Sequence, residues 1–480
     1  MKMVTATNKR KIQHLYSRAG FGISLTDLEK QKDSSVENSV KKIINDSKQF
    51  TEIKIDHGMG EVTMMTKEER QAMTKEQKQA LRKQSRENVQ SLNLKWIDKM
   101  VTEPTVLREK MTLFWHGHFA CRDGNSVFNE NQNNTFRKLA LGKFSDLLFA
   151  VSKDAEMLGF LNNQQNKKAS PNENFAREVM ELFTLGRGNY TENDIKNAAR
   201  AFTGWGYDQN GDFAFRKKQH DEDTKTFMGK SGNFNGEDIL NLILENKKTS
   251  EFITTKIYKF FVNEPNPDKS RIKELSDRFY SSGYDIQSLL TDIFNSEWFY
   301  DDKNIGVNIK SPTELIVGLM KNFKITMQND KPLLAIQKNL GQVLLYPPNV
   351  AGWAGGKNWI DTSTMMLRMK LPEILFKSSE LQFEMKEDPQ EMGEMVNKKP
   401  KDQALYKKVK TRIDISEYIS FLSSKNNDEI LNILSDGILM KEPGIDTMNA
   451  VKKYLDTSSK ENFIESSIMR ILSVPEYQLS

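Results

Sequence analysis

The chain has 480 residues, 37% hydrophobic and 28% charged, with 70 Lys and Arg against 65 Asp and Glu and a formal net charge of +5. That balance fits a globular protein, excludes a disordered chain and a dedicated nucleic-acid binder, and leaves room for roughly two to four domains. Cys121 is the single cysteine, so no intrachain disulfide forms; no apolar run approaches the roughly 18–20 residues of a membrane span, "LIVGLM" at 315–320 being typical.

The chain opens "MKMVTATNKRKIQHLYSR", where no apolar stretch follows the basic residues. No secretory leader is expected from this, and the cytoplasm is the expected location. Ser24 before Asp27 reads as a helix-capping pair. From about Lys67 to Met100 the chain is dense in Lys, Glu, Gln and Arg without Pro or Gly. It predicts a long exposed helix, either a solvated arm or a contact surface, within an insertion at about 53–95.

In "REKMTLFWHGHFACRDG" (108–124) a helix is expected to run into Trp115 and stop near Gly117. His116 and His118 point about 200° apart on a continuous helix and share a ligand only if Gly117 breaks it. Two imidazoles suit zinc or another transition metal better than magnesium. The structural alternative is packing histidines, and Cys121 is expected in the core.

"PNENFAREVMELFTLGRGNYT" (171–191) places Asn174, Arg177, Glu178 and Glu181 within an arc of about 100° on a helical wheel. Phe175, Ala176, Val179, Met180, Leu182 and Phe183 fill the other side. The polar arc is a solvated face or the wall of a site. Gly186 and Gly188 end the helix, and Thr191 with Asp194 caps the next one.

"GWGYDQNGDFAFRKK" predicts a hairpin near 204–216 with a type I′ turn at Asn210-Gly211. A calcium loop is rejected there, because its sixth and twelfth positions are Phe213 and Gln219. In "KKQHDEDTKTFMG" (217–229) the His220–Asp221 pair suggests an oriented general base, with Lys225 available to an anionic group. A charged loop is the alternative.

"LLTDIFNSEWFY" (289–300) and "IMRILSVPEYQL" (468–479) echo each other as apolar helices entering a Ser…Glu-aromatic ending. In "LLYPPNVAGWAGGKNWIDTSTMMLRM" (344–369) prolines and glycines force an irregular loop before a helix capped within Thr362-Ser363-Thr364. Asn349, Trp353 and Trp359 are its candidate ligand-binding residues, with buried packing the competing fate of the tryptophans. No P-loop ending and no Gly-x-Gly-x-x-Gly is present. The polar stretch 381–412 reads as a linker or loop.

These segments, from "HLYSRAGFGIS" through "LREKMTLFWHGHFA", "LGKFSDLLFAVSKDAEMLGFLNN", "HDEDTKTFMG", "IKSPTEL" and "PPNVAGWAGGKNWIDTSTMMLRM" to "LSVPEYQLS", resemble a bacterial family known as domain of unknown function 1800. The resemblance places His116, His118, Arg177, Glu178, Glu181, His220, Asp221, Asn349, Gly352 and Trp353 on recurrent motifs, and supplies no reaction. It also implies frequent export, and occurrence beside an exported sulfatase-like partner.

The expected fold is mainly α, a multi-helical core over 1–380, a polar linker at 381–412 and C-terminal helices over 413–480 packing on the core. One expected function is a metal-dependent hydrolase. In it His116, His118, Glu178 and Glu181 hold a divalent metal, His220 and Asp221 act as base, and Arg177 and Lys225 steady an anion. The alternative is a non-catalytic scaffold for an operon-encoded partner. A redox metal is weaker than either, because no Glu-x-x-His repeat is present.

Overall fold

The computed structural model describes residues 6–58, 72–122, 124–378, 380–381 and 407–480. Helices dominate, and strands are confined to two-stranded antiparallel ribbons. Among the described residues no helix is long and apolar enough to cross a membrane.

Two apolar clusters organise the helices. The first draws on the N-terminal helix Asn8–Ala19 and on helices between Val106 and Tyr300. The second joins Lys75–Thr102 and Pro312–Asn322 to helices Ser416–Leu422, Asn427–Ile438 and Lys460–Leu472. The helix Val106–His118 serves both: Met111 and Trp115 enter the first cluster and Leu113 the second. Every residue of it except Val106 and Gly117 is buried, so it lacks a solvated face.

Its charged residues are paired accordingly. Arg137 Nε donates to Glu109 at 2.8 Å, Trp96 Nε1 donates to the same carboxylate at 2.9 Å, and Lys110 pairs with Glu314. Glu314 itself closes a capping box with Ser311 in "KSPTEL".

Local signals hold at several ends. Ser24 caps Leu25–Gln31, and Thr191 with Asp194 forms a capping box on Glu192–Ala201. The charged arm is a helix from Lys75, capped by Thr74 and Gln77, and it becomes buried only from Asn88 onward. The part of that expectation on 59–71 lies outside the described residues. The two echoing segments both form a helix followed by a short 3-10 turn, Glu297–Tyr300 and Pro475–Gln478, one in each cluster.

Two local expectations are corrected. Trp205–Tyr207 pairs with Phe213–Phe215, but the connection is longer than a two-residue turn: Asp208 N donates to Asp212 O at 2.9 Å, and only Gly211 takes positive φ, at 86°. This is the three-residue loop with a left-handed glycine rather than type I′. The cap of Thr362–Phe376 is Asp361, with Thr364 as its partner, rather than one of the hydroxyls. Of the expected linker, 382–406 lies outside the described residues. Its ends return as ribbons, Glu380–Leu381 on Lys407–Lys408 and Thr326–Met327 on Thr411–Arg412.

Candidate functional site

The helix does not stop at Gly117. It continues through His118, so the two imidazoles leave on opposite sides and do not converge. His116 is 2% exposed, lies against the rings of Trp96 and Trp353, and accepts a hydrogen bond from Leu345 N at 3.0 Å on Nε2. Burial pushes its pKa down to about 3, so the ring is neutral and carries its proton on Nδ1.

His118 Nε2 lies 3.0 Å from Phe183 O and Nδ1 lies 3.1 Å from Lys256 Nζ. A carbonyl only accepts, so Nε2 carries the proton and Nδ1 accepts from the lysine. Burial, and then the nearby Lys256 charge, hold the imidazole well below its usual pKa.

The carbonyls that receive these groups come from an irregular helix. Asn174–Glu178 is α-helical, but Val179–Thr184 widens into a π turn in which Leu185 N and Gly186 N both donate to Met180 O. The widened turn departs from the 3.6-residue period of the helical wheel, yet the apolar side stays buried and Asn174, Arg177, Glu178 and Glu181 stay on the solvated one. Leu182 O and Phe183 O are left at the helix end, and Lys256 Nζ (3.2 Å) and His118 satisfy them. Glu181 instead meets Arg187 and Tyr190 OH, the latter at 2.9 Å. Burial, and then Glu181, raise the pKa of Glu178. Arg177 bridges Glu173 and Glu192 at 3.1 and 2.9 Å.

The Gly-rich loop closes over this helix end. A Cβ on Gly352 (φ +76°) would stand 2.3 Å from Gly117 O, so the two backbones touch where "HGH" meets "AGW". The Glu264 carboxylate lies where a Cβ on Gly355 or Gly356 would fall, within 2.9 and 2.8 Å. Between loop and helices opens a cleft of about 330 Å³. Phe114, Phe260, Trp353 and Trp359 form its aromatic walls, and Arg18, Lys256, Lys259, His118 and Glu264 bring charge and hydrogen-bonding groups. Burial, and then Lys259 one turn along the same helix, push Lys256 down to about 8.

Of the residues singled out in the sequence, the cleft therefore gathers His118, Trp353 and Trp359, with His116 behind Trp353. Asn349 lines a separate opening of about 580 Å³ with Asn174, Arg122 and Tyr346. Arg177, Glu178, Glu181, His220, Asp221 and Lys225 do not line the cleft.

His220, Asp221 and Lys225 close a network of their own. His220 Nδ1 is 2.9 Å from Thr203 O, Arg200 Nε donates to Asp221 at 2.7 Å, and Lys225 Nζ donates to Asp221 O and Asp223 O at 2.5 and 3.0 Å. Among the described residues no group of three or more His, Cys, Asp or Glu side chains is placed to share a metal ion.

The sequence reading missed Lys256, Lys259 and Glu264. In "TTKIYKFFVNEP" the lysines sit on an amphipathic helix and look like solvent-facing charge. It also passed over His57, whose Nδ1 lies 3.1 Å from Ser126 Oγ and whose Nε2 lies 3.1 Å from Glu130 Oε2. That chain fastens the 51–58 segment to the helix Ser126–Leu139, away from the cleft.

A family model described as a protein of unknown function, DUF1800, matches residues 14–479. No curated protein and no solved structure matches the chain.

Proposed function

We propose that this chain, which belongs to the DUF1800 family, binds a small anionic molecule in the cleft over Lys256 and exchanges protons with it there. One observation supports this reading: a lysine with a lowered pKa stands on the wall of an aromatic cleft, held by two acceptors whose roles are fixed. The cleft volume lies at the lower end of the range for small-molecule sites. Its aromatic faces cover an apolar body, and Lys259 adds a second cation one turn from Lys256.

The arrangement favours this over a His116, His118, Glu178 and Glu181 metal centre. Both His118 nitrogens are engaged, His116 lies on the other side of the helix, and Glu181 is bound to Arg187 and Tyr190. The His220–Asp221 network supports a positioning role for that loop.

An anion bound beside Lys256 raises the lysine's pKa, so binding near pH 8 takes up protons. Calorimetry with a series of small carboxylates and phosphate, in two buffers of different ionisation enthalpy, measures that uptake. We expect a fraction of a proton per bound anion, lost with affinity in Lys256→Met and reduced in Lys259→Met. Heats identical in wild type and Lys256→Met, or no binding by any anion of the series, would overturn the proposal.

A further inference from the structure

We propose that Lys256 captures the carbonyl of a small 2-oxo acid as an imine, with Lys259 receiving the acid's carboxylate. The inference rests on the anion-site reading and adds covalent chemistry to it.

The argument begins with donors and acceptors. A neutral lysine amine has two N–H groups and one lone pair. Two acceptors face Lys256 Nζ, His118 Nδ1 at 3.1 Å and Leu182 O at 3.2 Å. Both N–H groups of the free amine are thus matched, and among the described residues the lone pair is left without a protein donor on a side chain that lines the cleft. His118 cannot rotate its role, because its Nε2–H is committed to Phe183 O. It is a positioning residue here: it holds the amine by an acceptor that stays neutral.

The charged and titratable groups sharing the cleft with Lys256 are His118, Arg18, Glu264, Glu314 and Lys259. Arg18 is spent on Phe261 O, Val262 O and Ser480 Oγ, Glu264 lies against Gly355 and Gly356, and Glu314 is paired with Lys110 and accepts from Ser311 N. Among the described residues of the cleft, Lys259 is the cation left to face a carboxylate. In a 2-oxo acid the carboxylate is bonded directly to the carbonyl carbon, so one short molecule addresses both lysines. Side chains at i and i+3 of a helix are neighbours, which sets the scale.

The step balances without an oxidant or reductant. The ammonium gives a proton to solvent, and its lone pair forms the C–N bond as the carbonyl π bond opens onto oxygen. The oxygen, protonated twice, leaves as water as the C=N bond forms. Overall, ammonium and ketone become protonated imine and water.

The test is reductive trapping on the full chain. The protein is incubated with glyoxylate and cyanoborohydride, and adducts are located by peptide mass mapping. A lysine titrating near 8 holds roughly a hundred-fold more free amine at pH 7 than an ordinary one. Lys256 is therefore expected to take label about a hundred-fold faster than exposed lysines, with half-maximal rate near pH 8. Lys259→Arg, which keeps the charge, retains the labelling, while Lys259→Met slows it; His118→Phe slows it and moves its pH midpoint.

Label spread evenly over the lysines, or absent from Lys256, overturns the inference. The map is read on wild-type protein, so it does not depend on any variant folding. Glyoxylate binding measured without reductant separates the two readings: binding with no Lys256 adduct overturns imine formation and leaves the anion site standing. Neither binding nor adduct overturns both.

Discussion

Replacing Gly352 with Ala tests whether the contact between the Gly-rich loop and the histidine-bearing helix end builds the cleft. Two costs are expected. The first is conformational: Gly352 sits at φ +76°, where a Cβ costs about 1–2 kcal/mol. The second is steric: the new Cβ would lie 2.3 Å from Gly117 O, roughly 1 Å inside contact distance. Relief requires the loop to lift from the helix, at the overpacking cost of about 1–3 kcal/mol. Together these give a loss of about 2–5 kcal/mol. Gly341→Ala isolates the first cost, because Gly341 has φ +89° and nothing within 4 Å of its Cβ position. Urea unfolding of both variants beside wild type reads the difference. Gly352→Ala should lose about 1–3 kcal/mol more than Gly341→Ala, and should also change the emission of Trp353, which rides on the next residue. Equal losses with unchanged emission would refute the reasoning, since backbone conformation alone would then explain the glycine.

Arg137→Met leaves the Glu109 carboxylate, 1% exposed, with Trp96 but no cation, and a loss of about 3–5 kcal/mol in urea unfolding is expected. Arg177→Met breaks the pairs to Glu173 and Glu192 at the surface, and the same assay should show less than about 1 kcal/mol. His116 titrates near 3 in the folded protein against about 6.5 unfolded, so the unfolded chain takes up the proton first as pH falls. Stability is therefore lost from about pH 6.5 downward until the folded ring titrates, at about 1.4 kcal/mol per pH unit from this group. His116→Gln keeps an acceptor for Leu345 N without titrating, and its stability should fall less steeply than wild type between pH 6 and 4, by about that amount per unit.

What could be read in advance was whatever the chain settles locally. Ser24, Thr191 and Asp194 act on amides a few residues away, so their spacing carries the information. The hairpin at 205–215 was legible from its aromatic alternation, whereas its turn was misjudged because Asp208 and Asp212 pair and leave a longer loop. The helical wheel separated the two sides correctly, since Phe175, Ala176, Val179, Met180 and Phe183 are buried while Asn174, Arg177, Glu178 and Glu181 keep solvent contact. What it did not foresee is the π segment from Val179, which frees the carbonyls of Leu182 and Phe183. Lys256 was invisible for a different reason. Its chemistry depends on a carbonyl and an imidazole 74 and 138 residues away in the chain, and no local pattern distinguishes it from a solvated lysine.

The division of His116 from His118 follows from where their helix lies. Val106–His118 runs between the two apolar clusters, so residues on its opposite sides answer to different partners. His116 meets Leu345 from the second cluster; His118 meets Phe183 from the first. The cleft opens where the clusters adjoin, its walls taking Phe114 and Phe260 from one side and Leu113 and Glu314 from the other. Gly117 contributes its carbonyl, the surface on which Gly352 rests, and it is Gly352 that has no room for a side chain. The His-Gly-His motif thus joins two halves of the protein and roofs the pocket between them, which places Lys256 on a wall whose position depends on both.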